Sequence, residues 1–418
     1  MTLRTALRDP LIRRLSTAQA LSVIGDGCNS VALAFAVVML TDSTTLLSAA
    51  LAARVVGLTV SLLFGGVMAD RFDRGSILIW SDLIRFVAQA VLAAGLLSGH
   101  VGVPVIIGLQ LVHGLASGCF LPTYGGFIAR LVATEQLQRT NAAITTAAGI
   151  ANVAGPALAG ALTATVGPAW ALGIDALTFL GSAMLIASCQ SRMPRFERAG
   201  EKRSGESVLH ELRSGGREVL SRPWLTAGVG YFVVSQLCIT GPLFVLGPVL
   251  AEQHLGGAAA WGILLTGFAG GGVLGSLVAA RFEPRRPMLT MLCCAVLIAP
   301  LLLAFSLRSP FAVLVTAEVI AGAATMFTDI LWQSTMQAHV PDAVLSRVLS
   351  WDLLGYTLSR PVSMGLVGFV AQTAGMVATF AAAALALITT AAITASLRPS
   401  RMLGRQPLPS ADSKEGLA

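Results

Sequence analysis

The sequence predicts an all-α membrane protein: twelve transmembrane helices in two pseudo-symmetric six-helix bundles. Three observations predict this. Of 418 residues, 55% are hydrophobic and only 12% charged, with a mean hydropathy of +0.77, whereas soluble domains carry about a quarter charged residues. Twelve apolar runs follow one another, each long enough to cross a core of ~30 Å at ~1.5 Å per residue. The second half of the chain also echoes the first.

The runs fall at 15–41, 45–70, 75–98, 103–128, 140–166, 168–190, 223–250, 257–281, 287–307, 310–337, 345–371 and 375–397. They divide the chain into a basic arm (1–14), a first bundle (15–190), a linker (191–222), a second bundle (223–397) and a tail (398–418). The arm carries Arg4, Arg8, Arg13 and Arg14. The apolar run behind it is of spanning length and has no cleavage-site pattern, so no signal peptide is expected.

Span 1 sets Gln19, Ser22, Asp26 and Asn29 on one stripe. Span 2 contains Arg54 and runs into Gly65-Gly66-Val-Met-Ala-Asp70-Arg71-Phe-Asp73-Arg74-Gly75. The two glycines permit close helix approach. Asp70, at a helix end, suits the positive N-terminal end of another helix. Span 3 holds Asp82 and Arg85, three apart and read as a local structural pair. Span 4 has Gln110, His113, Ser117 and Tyr124 at helical spacing. Span 5 has Gly149, Ala151, Gly155, Pro156 and Gly160, small residues that favour tight packing around a kink. Span 6 contains Asp175.

The linker interrupts the hydrophobic pattern with arginines and acids and reads as a tether, part of it an amphipathic helix on anionic lipid. Span 7 offers Tyr231 and Ser235; span 10 offers Glu318, Thr325, Phe327, Asp329 and Trp332; span 11 offers Asp352 and Arg360, the latter just before Pro361. The tail, with Pro399, Pro407 and Pro409, reads as disordered.

The arginines set the topology. Of 28 Lys and Arg, Arg54, Arg85 and Arg360 lie inside spans and Arg308 in a loop on one side; the rest lie in the arm, the linker, the tail and the loops of the other side. The positive-inside rule makes both termini cytoplasmic, in a multi-pass cell (inner) membrane protein. The net charge of +7 is therefore a topology signal rather than a nucleic-acid footprint.

Arg71, Phe72 and Asp73 are echoed by Arg281, Phe282 and Glu283, and Arg139 by Arg347. Repeated halves suit a transporter whose site lies between them. Six cysteines within spans, without metal-ligand spacing, read as packing residues. The sequence offers no phosphate-cradling loop, catalytic constellation or metal cluster, so neither an enzyme nor a cofactor or metal is expected.

The pattern G-x-x-x-D-R-x-x-R, in its fuller form GGVMADRFDR followed by SDLIR, resembles the loop between helices 2 and 3 of the major facilitator superfamily. The resemblance extends from about Leu11 to Leu397 and is closest to the branch of enterobactin-type exporters and transmembrane secretion effectors, which export drugs and metabolites. It implies secondary active efflux by alternating access, with proton antiport and a part in multidrug resistance, at the plasma membrane. It also implies that helices 1, 4, 7 and 10 line a cavity and helices 2, 5, 8 and 11 join the halves. A glycine-proline stretch in helix 5 is associated with exporters; Gly155, Pro156 and Gly160 match it, while Ala151 and Ala159 replace two glycines.

An ionisable group inside a bilayer costs about 2.5–3.5 kcal/mol and is by default a functional hypothesis. Asp26, Glu318 and Asp329 are the proton-coupling candidates. Asp26 alternatively forms a permanent pair with an intramembrane arginine, Arg54 or Arg360. Gln110, His113, Ser117, Tyr124, Tyr231, Ser235, Phe327 and Trp332 are the cavity candidates, suited to an amphipathic drug, antibiotic, siderophore or other metabolite. Gly66, Asp70, Arg71, Arg74 and Asp352 form the expected cytoplasmic gate. Expected partners are a small-molecule substrate, protons and membrane lipids, with no nucleic acid, for a protein working as a monomer. The rival readings are an ion-coupled importer of a small organic nutrient and a non-transporting scaffold or sensor.

Overall fold

The computed structural model describes residues 9–41, 43–190, 215–282 and 284–402, without the side chains of 63–71, 121, 134–135, 342–343, 346 and 402. No strand occurs among the described residues. Among these residues twelve helices are long and apolar enough to cross a membrane. They are α1 (Pro10–Leu40), α2 (Thr44–Arg71), α3 (Arg74–Leu97), α4 (Val103–Leu131), α5 (Thr134–Val166), α6 (Pro168–Gln190), α7 (Pro223–His254), α8 (Ala258–Ala279), α9 (Pro287–Ser306), α10 (Phe311–His339), α11 (Asp342–Ala374) and α12 (Met376–Ser396). A short helix, α13 (Arg398–Met402), follows, and residues 215–220 are helical ahead of α7. Residues 1–8 of the expected arm, 191–214 of the expected linker and 403–418 of the expected tail lie outside the described residues.

Local chemistry sets the helix ends. The Asp9 carboxylate accepts from Leu11 N at 2.8 Å, and Pro10 occupies the first turn, where no donor is lost. Asp73 caps α3 through Ser76 N at 2.8 Å. Gly167 (φ 92) joins α5 to α6 and Gly375 (φ 84) joins α11 to α12, both in backbone conformations that side chains disfavour. Two helices of the second half are irregular. A π-helical turn at Pro242–Leu246 interrupts α7, and α9 breaks between Val296 and Ala299.

The two halves repeat each other closely. Helices α4 and α10 are both 29 residues, starting at Val103 and Phe311; α5 and α11 are both 33, starting at Thr134 and Asp342. Both pairs are thus 208 residues apart, and the contacts repeat too. A methyl group added to Gly114 of α4 would overlap the Arg54 carbonyl of α2, and one on Gly322 of α10 would overlap the Phe268 carbonyl of α8. Gly155 of α5 packs on Gly27 of α1, and Ser363 of α11 accepts from Gly241 N of α7 at 2.7 Å.

The bundles meet along α2 with α11 and α5 with α8, and these contacts also come in pairs. Gly368 lies against the Thr44 carbonyl and Ser48, while Gly160 lies against the Ala258 carbonyl and Gly262. Thr44 Oγ1 donates to Gly368 O at 3.1 Å and Thr59 Oγ1 to Thr357 O at 3.4 Å. With twelve alternating spans, α1 begins and α12 ends on the same side, the terminal side. The contacts named here run from the opposite side to about mid-depth.

Candidate functional site

Polar groups inside the bundles are the features a helical membrane fold must justify, because each costs free energy unless paired or wetted. The first bundle joins several of its own across helices, although buried His113 keeps both ring nitrogens without a hydrogen-bond partner. Arg54 of α2 donates to Asp26 of α1 at 2.5 Å, and the pair is only partly covered, with Asp26 39% and Arg54 21% exposed. Of the two arginines that the sequence left open as partners, the structure brings Arg54 to Asp26.

Behind that pair lies a buried polar chain. Gln89 of α3 donates to Asp175 of α6 at 2.8 Å, Gln110 of α4 donates to Gln89 at 3.3 Å, and Gln110 and Asn29 of α1 face each other at 3.4 Å. Arg85 is bonded to Asp82 one turn back, and its guanidinium lies between two rings, 4.5 Å from the centroid of Phe120 and 4.3 Å from that of Phe179. A cation held between aromatic faces gains electrostatic stabilisation that apolar packing alone does not supply.

This network explains a departure from the sequence reading. The α4 stripe of Gln110, His113, Ser117 and Tyr124, expected on a water-facing wall, is buried within the first bundle. Gln110 satisfies Asn29 and Gln89, Ser117 donates to His113 O at 2.9 Å, and the Tyr124 hydroxyl donates to Leu15 O at 2.9 Å. His113 packs against Phe179, with ring centroids 5.4 Å apart. Helical spacing identified a polar face; the direction of that face depends on the neighbouring helices.

The second bundle is different. Glu318 of α10 is fully buried, and neither carboxylate oxygen has a hydrogen-bond partner. Nearer the terminal side, the indole of Trp332 donates to Asp352 at 2.9 Å, joining α10 to α11. Trp332 packs with Phe232 (5.3 Å) and Trp224 (6.1 Å), and Gly228 of α7 leaves room for the indole ring. Tyr231 lies against Phe232, Ser235 donates to Phe232 O, and Phe327 packs on Phe282. Asp329 is half-buried one turn before Trp332 on α10. Tyr231 and Trp332 therefore gather with Asp352 around α7, α10 and α11, whereas Phe327 meets Phe282 just beyond α8. Arg360, further along α11, has its guanidinium carbon 5.8 Å from the centroid of the Tyr356 ring.

The side chains of Gly66, Asp70 and Arg71 lie outside the described residues. Arg74 extends along Gly126 of α4, where a methyl would displace it. Asp352, the remaining gate candidate, is engaged by Trp332. In the helix-5 motif, Gly155 meets α1, while Gly160 and the Pro156 carbonyl meet α8 of the other bundle. One motif thus serves both a packing contact within its bundle and the joint between bundles.

Sequence reasoning missed Gln89 and the tie from Gln190 to Asp73, whose carboxylate accepts at 2.6 Å. The signal for Gln89 was present: residues 82, 85 and 89 share one face of a single helix.

Two linked six-helix bundles with a paired interface and polar groups at mid-depth define a membrane transporter rather than an enzyme. The family model of the Major Facilitator Superfamily matches residues 15–363, and the chain belongs to that superfamily. Among curated proteins, it is 26% identical over 347 residues to the enterobactin exporter EntS of Shigella boydii serotype 4, covering 81% of this chain and 80% of that one. EntS of Escherichia coli O1:K1 matches to the same extent. Among solved structures, the nucleoside transporter NupG superposes with a TM-score of 0.71 at 13% identity, over 92% of this chain and 98% of that one. A D-xylose-proton symporter gives a TM-score of 0.67 at 14% identity, over 95% and 98%.

Proposed function

We propose that this protein is a proton-coupled exporter of an amphipathic organic compound, with both termini cytoplasmic. The two bundles rock about a site near mid-depth and open it to each side in turn. The observation that carries the coupling is the Asp26–Arg54 pair, an intramembrane ion pair that is partly exposed. An accessible carboxylate held by a single arginine can take up a proton and release that arginine, whereas a fully enclosed pair is a structural tie. The export direction rests on the enterobactin exporters matched along four-fifths of the chain and on the glycine-proline packing of α5. A siderophore-like or other secondary metabolite is the compound class these relatives suggest.

Everted membrane vesicles with an imposed, inside-acidic pH gradient test this. Iron-free enterobactin should accumulate, and an uncoupler should abolish accumulation. Asp26→Asn should fold normally and lose gradient-driven accumulation while keeping equilibrium binding. Accumulation surviving in Asp26→Asn would move the coupling role to Glu318 or Asp329. Net movement in the uptake direction would replace export with import.

A further inference from the structure

Three arginines lie deep within spans among the described residues: Arg54, Arg85 and Arg360. Arg54 and Arg85 each hold a carboxylate. Among the described residues Arg360 holds none; its guanidinium lies near the ring of Tyr356, and its Nε is buried without a hydrogen-bond partner. A permanently charged group kept inside a membrane protein without a counter-ion calls for an explanation, because Arg does not neutralise by losing its proton.

The side of α11 that Arg360 occupies follows from its neighbours. Thr357 and Gly368 face α2, and Ser363 faces α7. Leu358, Val362, Leu366 and Phe369 form an exposed apolar stripe suited to lipid. Val362, two residues on, lies roughly 200° around the helix from Arg360, so Arg360 points away from that stripe, between α2 and α7. Leu353, two turns earlier on the same face as Arg360, is 58% exposed, so this inner face is open rather than packed shut.

The antiparallel pairing of Thr44 with Gly368 and Thr59 with Thr357 fixes the register of α2 on α11. That register sets Arg54 and Arg360 at the same depth, one from each bundle. The residue equivalent to Arg360 in the repeat is Asn152 of α5, and it is exposed. The inner gap at mid-depth thus presents the Asp26–Arg54 pair, the amide Asn152 and, among the described residues, one cation without a counter-ion, Arg360.

We propose that Arg360 anchors an acidic group of the transported compound, so that the preferred substrates are amphipathic organic acids, carboxylates or ionised phenols, rather than organic cations. A planar guanidinium binds such groups with two parallel hydrogen bonds, and Tyr356, one turn below, offers a ring for the substrate's apolar part. This deepens the exporter reading by naming the charge class of its substrate, and it rests on that reading only for the site's being a transport site.

Two xanthene dyes of similar shape and opposite charge test it by equilibrium fluorescence polarisation on the purified full-length protein: fluorescein, anionic at neutral pH, and rhodamine 123, cationic. Fluorescein should bind the wild type more tightly. Arg360→Gln should weaken fluorescein about tenfold or more and leave rhodamine 123 unchanged or tighter. Arg360→Lys, which keeps the charge, should restore part of the loss. The wild-type comparison stands even if Arg360→Gln does not fold. Equal binding of the two dyes, a preference for rhodamine 123, absence of fluorescein binding, or fluorescein affinity unchanged in a folded Arg360→Gln would each overturn the proposal. Because binding is read without a gradient, failure of the export assay leaves this result standing, and export of cations alone refutes this inference while leaving export intact.

Discussion

Gln110 and Glu318 are each the eighth residue of their helix, α4 in one bundle and α10 in the other. Around Gln110 the first bundle supplies Asn29, Gln89 and, through Gln89, Asp175. Around Glu318 the second bundle supplies no hydrogen bond, and the residue equivalent to Asp175 is Ala383. The backbone packing is nonetheless the same, with Gly114 and Gly322 set against the carbonyls of Arg54 and Phe268. Duplication preserved the joints between helices while the buried chemistry diverged. The first bundle links polar groups across four helices while leaving both ring nitrogens of buried His113 without a partner; the second keeps Glu318 and Arg360, ionisable groups without hydrogen-bonding or ionic partners among the described residues, outside any such network.

The shared joints should give the largest effects. Gly114→Leu and Gly322→Leu would each drive a side chain into a neighbouring carbonyl with no free volume to receive it. Overpacking of well-packed interiors commonly costs about 1–3 kcal/mol and more where backbone must move. Both variants should therefore fail to give a monodisperse peak in fluorescence-detected size exclusion. Tolerance of one and not the other would mean that the two joints are not equivalent.

The divergent chemistry should appear next. Arg85→Leu strands the buried Asp82 and should cost about 3–5 kcal/mol, read as a lower unfolding temperature in detergent. Glu318→Leu should have the opposite sign, neutral or stabilising by about 1–4 kcal/mol, since it removes a buried carboxyl that nothing satisfies. Strong destabilisation by Glu318→Leu would reveal a partner, such as an ordered water, and erase the contrast between the bundles.

What was legible in the sequence follows the same division. The twelve spans were readable because length and hydropathy are local properties, and the repeat because Arg71-Phe72 and Arg139 recur, as Arg281-Phe282 and Arg347, at nearly the same offset. The role of Gly155 and Gly160 as packing residues was readable because small residues matter wherever helices touch. The partner of Asp26 was not readable: choosing Arg54 over Arg360 requires knowing how α1, α2 and α11 are placed around one another. The α4 stripe misled for a related reason. Spacing marks Gln110 and His113 as one polar face, yet a face that meets Asn29 and Gln89 is as polar as one that meets water.

The smallest effect discriminates most finely between the bundles. Tyr124 and Trp332 occupy equivalent positions in α4 and α10, and each donates one hydrogen bond, buried to Leu15 O and part-buried to Asp352 respectively. A neutral hydrogen bond contributes about 0.5–1.5 kcal/mol, and one to a charged group about 1.5–3 kcal/mol. Replacing the donor with phenylalanine should therefore lower stability less for Tyr124→Phe than for Trp332→Phe. The indole is also larger than the ring that replaces it, so Trp332→Phe carries a cavity cost. The double-mutant cycle of Trp332→Phe with Asp352→Asn removes that cost, because it is common to both backgrounds. A coupling in the charged range would identify Asp352 as an ionised acceptor tying α10 to α11. A coupling no larger than the Tyr124 value would mean that Asp352 holds a proton in the folded protein, which would add it to the coupling candidates beside Asp329.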